Sequence, residues 1–353
     1  MKKVKFVLMV LTVSIFASIF TGCGSKPQAE KVTINFFNWG DYIDESTVAK
    51  FEKKYPNIKV NCEYFTTNED MYVKIKSGGS DYDIAIPSDY MIQRMLDEGM
   101  LKKINLDNIP NFKYIDDRFT NLDFDPDNEY SVPYLWGTVG ILYNKTLVSD
   151  PVDTWQILWN KKYEKQIVMP DSERDSIGIT LKMLGYSMNT RDINQLEEAK
   201  QKLIEQKPLV LSYVVDEVKD LMVGGNAALA VVWSGDAYAS MMENEDLAYS
   251  IPKEGSNLWF DSMVIPITSK HQEEAELFIN FMCEPEIAYA NASYIGYATP
   301  HTEAFKMLDP WFTSDPFAYP SAEFIKDNLE IFRYPGDEIN KIYSRIWTEV
   351  KAY

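Results

Sequence analysis

Histidine is nearly absent: His271 and His301 are the only two in 353 residues. That scarcity removes the donors a histidine-rich transition-metal site would need. Cysteine is almost as rare. Beyond Cys23 only Cys62 and Cys283 remain, and they fit one disulfide in an exported protein or two buried free thiols. Basic residues are in deficit, with 35 Lys and Arg against 53 Asp and Glu and a formal net charge of −18. An excess of acid on that scale argues against nucleic acid and against adhesion to anionic lipid, and it attracts cations. There is no nucleophile elbow, no phosphate loop, no metal-ligand spacing and no internal repeat.

A long apolar run stands near the start of the chain, Phe6 to Phe20, broken by Thr12, Ser14 and Ser18 and preceded by Met1-Lys2-Lys3-Val4-Lys5. It is too short for a spanning helix and reads as the apolar core of an export signal. Phe20-Thr21-Gly22-Cys23 then resembles the bacterial lipoprotein cleavage box, with phenylalanine where leucine is usual. The reading is a signal peptide over 1–22, lipidation of Cys23, and a short tether over 23–31. The leader holds three lysines and no acid, so the remainder is three charges more negative.

Aromatics and acids recur together. Trp39-Gly40-Asp41, Trp233-Ser234-Gly235-Asp236 and Trp259-Phe260-Asp261 each set an indole within three residues of a carboxylate. A flat apolar face beside a fixed negative charge suits a small organic cation with an alkyl body, held at its nitrogens by carboxylates and along its methylenes by rings. Three such pairs over more than two hundred residues need a fold that gathers them.

The hydrophobic pattern supplies one. Val32, Ile34 and Phe36 alternate as a strand, Ser46–Tyr55 has helical spacing and stops at Pro56, and Ile58–Phe65 alternates again. Asn68–Lys76 is helical. Ile84-Ala85-Ile86 is a short buried strand before Ser88, which is placed to cap a helix running to Met100 with Met91, Ile92, Met95 and Leu96 as its core stripe. This succession predicts a mainly parallel sheet with crossover helices, whose ligands gather at the carboxyl ends of the strands. Trp39 and Ser88 stand at such ends. Tyr134–Tyr143 reads as a strand crossing between lobes, Ala227–Trp233 as a buried strand, and Ser262–Pro266 as the return crossing. Asn189–Gln206, Glu273–Met282 and Asp337–Ala352 read as amphipathic helices.

At these residues the chain resembles the spermidine/putrescine-binding proteins of bacterial polyamine ABC importers. The matching stretches are Asn38–Tyr42, Asp83–Tyr90, Ser131–Gly137, Val232–Asp236, Pro252–Gly255 with Trp259–Ser262, and Ile295–Pro300, in family order over essentially all of the chain after the leader. The resemblance implies an α/β, two-lobed type II periplasmic-binding-protein fold, each lobe a mainly parallel sheet flanked by helices, with the ligand in the interlobe cleft. The lobes would comprise 32–137 plus 264–310 and 138–263 plus 311–353. It also implies a monomer, without cofactor or catalysis, that delivers its ligand to a permease driven by a cytoplasmic ATPase.

Carried over residue by residue, the resemblance makes Trp39 and Trp259 aromatic walls, completed by Trp233 and Tyr297. Asp261 becomes the principal carboxylate, and Asp236 and Asp41 match acids of putrescine-selective relatives. Ser88 and Tyr90 would be strand-end contacts of the first lobe, with Gly40 beside them. Asp171–Asp175 corresponds to an acidic loop, in which Asp175 replaces the usual glutamate and Ser172 stands where spermidine binders often carry a second acid. Arg333 occupies a place often held by glutamine, and a cation there points away or pairs with a carboxylate. Tyr42 and Tyr82 read as structural. The competing readings are a sugar or another small cation on the same fold, and a lipid-anchored hydrolase using Asp236 and Asp261.

Overall fold

The computed structural model describes residues 31–78 and 81–353; the leader, Cys23 and the tether up to residue 30 lie outside them. The first alternation folds as strand β1 (Val32–Trp39), burying Ile34 and Phe36 completely. Helix α1 (Ser46–Lys54) ends just before Pro56, which cannot continue a helix. Strand β2 (Ile58–Phe65) runs parallel to β1. Helix α2 (Asn68–Lys76) opens on Thr67, whose hydroxyl accepts from the Asp70 N–H. Strand β3 (Ile84–Ala85) joins the other side of β1, again parallel, and leads into helix α3 (Asp89–Asp97), which buries Met91, Ile92 and Met95. The βαβα rhythm has therefore produced the expected crossover unit.

Strand β4 (Ser131–Asn144) follows, then β5 (Ile167–Pro170), helices α4 (Glu173–Met183) and α5 (Ile193–Gln206), β6 (Val210–Val214) and α6 (Val218–Val223). Next come β7 (Leu229–Trp233), α7 (Ser234–Glu243), β8 (Leu247–Ser250), β9 (Ser256–Val264), α8 (Gln272–Met282) and α9 (Pro285–Ile295). Three short helices, α10 (Thr302–Met307), α11 (Pro310–Thr313) and α12 (Ala322–Asn328), precede β10 (Leu329–Glu330) and helix α13 (Asp337–Ala352). The strand order is β2-β1-β3-β9-β4-β7-β5-β6, with β10 beside β9 and β8 beside β4. No helix among the described residues is long and apolar enough to cross a membrane.

The outer strands are parallel as expected, but the middle of the sheet is antiparallel. The reason lies in β4 and β9, which cross between the halves in opposite directions. β4 pairs with β9 through Ser131–Thr138 and with β7 through Val139–Tyr143. Its side chains are buried almost throughout, which is why its sequence is continuously apolar. On the far side Tyr343, Ile346 and Val350 of α13 pack against Ile177 and Leu181 of α4 and Leu196, Ala199 and Leu203 of α5.

Four local expectations need correction. The return crossing begins at Ser256 rather than Ser262, so Trp259 and Asp261 lie within β9. Helix α5 starts at Ile193 because the Asp192 carboxylate caps it through the Asn194 N–H. Asp171–Asp175 is not a loop: Ser172 caps α4, and Glu173, Arg174 and Asp175 are its buried first turn. Ser88 precedes α3 but its hydroxyl makes no cap; it accepts from Asn68 Nδ2 at 3.0 Å. Cys62 and Cys283 are both free thiols.

Candidate functional site

The carboxyl ends of β1, β3, β5, β6 and β7 open onto one cleft with about 850 Å³ of empty space. Each end delivers a different chemistry. β1 ends at Trp39, and the chain then turns through Gly40 and Asp41; Asp41 has a φ of 40°, a left-handed conformation that aspartate tolerates better than most residues. The Trp39 indole is locked by its N–H donating to Ile86 O at 2.8 Å and by Phe65, 4.5 Å between ring centroids. β7 ends at Trp233, and α7 immediately carries Asp236 in its first turn.

β9 supplies the centre. Trp259 and Asp261 alternate with Phe260, so both look into the cleft while Phe260 turns the other way to Trp136 and Phe119. An antiparallel bridge between Ser88 and Asp261 stitches the end of β3 to this strand. Tyr297, just past the left-handed Gly296, packs edge-on against Trp259 at 5.1 Å and donates from its hydroxyl to Asp236 Oδ2 at 3.0 Å.

All eleven residues singled out from the sequence line this cleft: Trp39, Gly40, Asp41, Ser88, Tyr90, Asp175, Trp233, Asp236, Trp259, Asp261 and Tyr297. Asp171, by contrast, is not in the lining and pairs with Lys351 at 2.8 Å. Arg333 points to Asp123, 2.6 Å away at an exposed edge. Tyr82 is structural, its hydroxyl donating to Glu63, but Tyr42 is not merely so: it lines the cleft with a buried hydroxyl that has no partner. Glu69, Arg174 and Asp216 also line it and escaped the sequence reading. Glu69 and Asp216 lie just beyond β2 and β6, so the rule about strand ends could have found them. Arg174 gave no signal, being one polar residue in a polar stretch.

The electrostatics are those of an acidic site held under strain. Asp261 is 5 % exposed and its Oδ1 has no hydrogen-bond partner. Burial pushes its carboxyl up to about 7; the Ser88 and Tyr42 hydroxyls lie close enough to pull the other way, without forming a hydrogen bond to Oδ1. Burial likewise raises Asp236 to about 6 against the pull of Lys219 and Tyr297, and Asp175 to about 6 against Ser172. Asp89 is different, since its oxygens are taken by the backbone N–H groups of Tyr90 and Phe260. What remains is a set of carboxylates poorly solvated by the protein, facing indole and phenol rings. Such a set favours an entering cation with several N–H donors.

The close approach of Trp259 depends on a glycine. A Cβ on Gly137, its antiparallel neighbour on β4, would lie 2.6 Å from the indole Cζ2 and 2.6 Å from Ser234 Oγ. Gly137→Ala is therefore expected to tilt Trp259 into the cleft, costing about 1–3 kcal/mol of stability and weakening ligand binding about tenfold. Unfolding in urea and a titration of the variant check both numbers; an unchanged affinity would mean that Trp259 is not positioned by this contact.

Comparison with known proteins places these features in context. The model of the family described as bacterial extracellular solute-binding protein matches residues 46–319. A spermidine/putrescine-binding periplasmic protein of Escherichia coli is 36% identical over 323 residues, covering 91% of this chain and 92% of its own. A solved structure from Listeria monocytogenes shares 45% identity with a TM-score of 0.88, covering 91% of this chain and 99% of its own. A spermidine/putrescine ABC transporter substrate-binding protein from Streptococcus pneumoniae shares 42% identity with a TM-score of 0.77, covering 92% and 99%.

Proposed function

The chain belongs to the bacterial extracellular solute-binding proteins and has their two-lobed type II fold, and from that premise we propose that it captures a polyamine, putrescine or spermidine, outside the cytoplasm and delivers it to the permease of an ABC importer. The observation that carries this reading is the buried carboxylate of Asp261, whose Oδ1 has no hydrogen-bond partner, in a cleft lined also by Trp259, Tyr297, Asp41, Asp175 and Asp236. The lobes in this reading are 32–137 with 264–310 and 138–263 with 311–353, and a lipid on Cys23 keeps the protein at the membrane face.

Binding divides into two physically distinct parts. The alkyl segment gains about 0.8 kcal/mol for each methylene removed from water, and an ammonium over an indole face adds about 0.5–2 kcal/mol. The charged ends gain less than their Coulomb attraction suggests, because both ions lose water. Here, however, the protein has already desolvated Asp175 and Asp261 in the empty state. A guest ammonium therefore meets acids with oxygens still free, as at Asp261. An amine too short to reach both ends leaves one of its own charges buried and unpaired, which sets the length preference.

Calorimetric titration with diamines of three to six carbons and with spermidine tests this. Saturable binding of putrescine or spermidine, with no change in the amine after prolonged incubation, is the expected result. No heat and no thermal shift with any of them would overturn the assignment.

A further inference from the structure

One cation already stands at the acidic end of the cleft, and the protein supplies it. Lys219, in the first turn of α6, places its ammonium 3.0 Å from Asp41 Oδ2 and 3.9 Å from Asp236 Oδ1. Asp41 follows β1, in one half of the sheet, whereas Lys219 and Asp236 follow β6 and β7, in the other. The lysine thus reaches across the cleft mouth. Asp216 completes the acid set, and its carboxylate approaches so closely that a Cβ on Gly40 would lie 2.8 Å from Oδ2.

The placement does not serve the helix. A positive charge in the first turn opposes the helix dipole, and burial alone would drive the Lys219 ammonium toward neutrality; Asp236, Asp41 and Asp216 outweigh that and hold it charged. The lysine is where it is because of the acids. Two ammonium groups cannot share them at hydrogen-bond distance without strong repulsion.

We propose that Lys219 is a specificity-determining residue whose ammonium fills the cation position between Asp41 and Asp236, confining a guest's nitrogens to the other acids of the cleft and disfavouring an amine long enough to need that position. The inference deepens the polyamine reading and rests on it. Asp41 and Asp236 then shape selectivity through the charge they have left after pairing with Lys219. A triamine carries one more ammonium than a diamine, so it is the guest most penalised by the resident lysine.

The test is a pair of variants titrated with putrescine and spermidine in the same buffer. Lys219→Met removes the charge and keeps an unbranched stem; Lys219→Arg keeps the charge. The ratio of the spermidine Kd to the putrescine Kd is expected to fall about fivefold or more in Lys219→Met and to stay near the wild-type value in Lys219→Arg. A smaller fall in Lys219→Met, or equal weakening of both amines, overturns the inference while leaving the polyamine reading intact. A wild-type protein that binds neither amine overturns both.

Discussion

Asp261→Asn is expected to weaken polyamine binding about a hundredfold or more while making the empty protein more stable at pH 8. Both effects have one cause. The substitution leaves a guest ammonium without its charged partner in a closed site, a loss of about 2–5 kcal/mol for a buried hydrogen-bonded charge pair. In the empty protein the same carboxylate is a burden, since its oxygen Oδ1 has no donor. Its folded-state value of about 7 lies above the ordinary 3.8, so folding favours the neutral form. The associated stability is fully present below about pH 4 and is lost as pH rises through 7. Raising the value from 3.8 to about 7 corresponds to roughly 4 kcal/mol of destabilisation once the group is ionised. Thermal unfolding of ligand-free protein should therefore show Asp261→Asn above wild type at pH 8, with the curves converging near pH 4. The same linkage makes polyamine binding release protons between pH 6 and 7. Asp171→Asn, at a carboxylate outside the cleft lining that pairs with Lys351, should change affinity less than about threefold. Equal losses in the two variants would undo the ranking of the acids.

Arg174→Met is expected to be the most destabilising substitution in the cleft wall, by about 3–5 kcal/mol at pH 7.5. Arg174 is 2 % exposed, and its guanidinium carbon lies 5.1 Å from the centroid of Tyr90 and 4.6 Å from those of Phe332 and Tyr343. One N–H donates to Arg333 O at 3.2 Å. Around it are Glu69 and Glu173, both raised above the usual carboxylate range, chiefly by burial, and both held down by this arginine. Methionine keeps much of the volume and the ring contacts but removes the larger of the two positive charges that offset these acids, leaving Arg94 alone to do so. Glu173, pushed up to about 8, carries only part of its charge at pH 7.5, and at pH 5 that remainder is gone, so the deficit should be smaller there. Urea unfolding at the two pH values provides the measurement. A loss below about 1 kcal/mol, or one equal at both pH values, would show that the arginine acts through packing alone.

The regular elements were legible where apolar spacing and end signals agreed: β2, α2 and α13 have the bounds their patterns predict. Legibility failed where polar residues are buried by tertiary contacts. Asp171–Asp175 has no apolar period, so nothing local announces that Glu173 and Asp175 are the buried first turn of a helix. Tyr42 looked structural because only the folded arrangement leaves its hydroxyl facing the cleft without a partner. The site itself was readable as a set of motifs, since each indole and each acid sits at a strand end or on a crossing strand. Lys219 was not, because its partner Asp41 is 178 residues away and only the folded chain brings them together.

The alternation along β9 has a consequence for how the protein can vary. Trp259 and Asp261 share one face of a strand whose opposite face, through Phe260, belongs to the core. A one-residue insertion or slip against β4 would turn Phe260 toward the cleft and both recognition groups away from it at once. Recognition is thereby indexed to strand registry as an all-or-nothing property, so changes of cargo must come from substitutions at fixed positions or from the flanking turns, and never from changing the length of this strand.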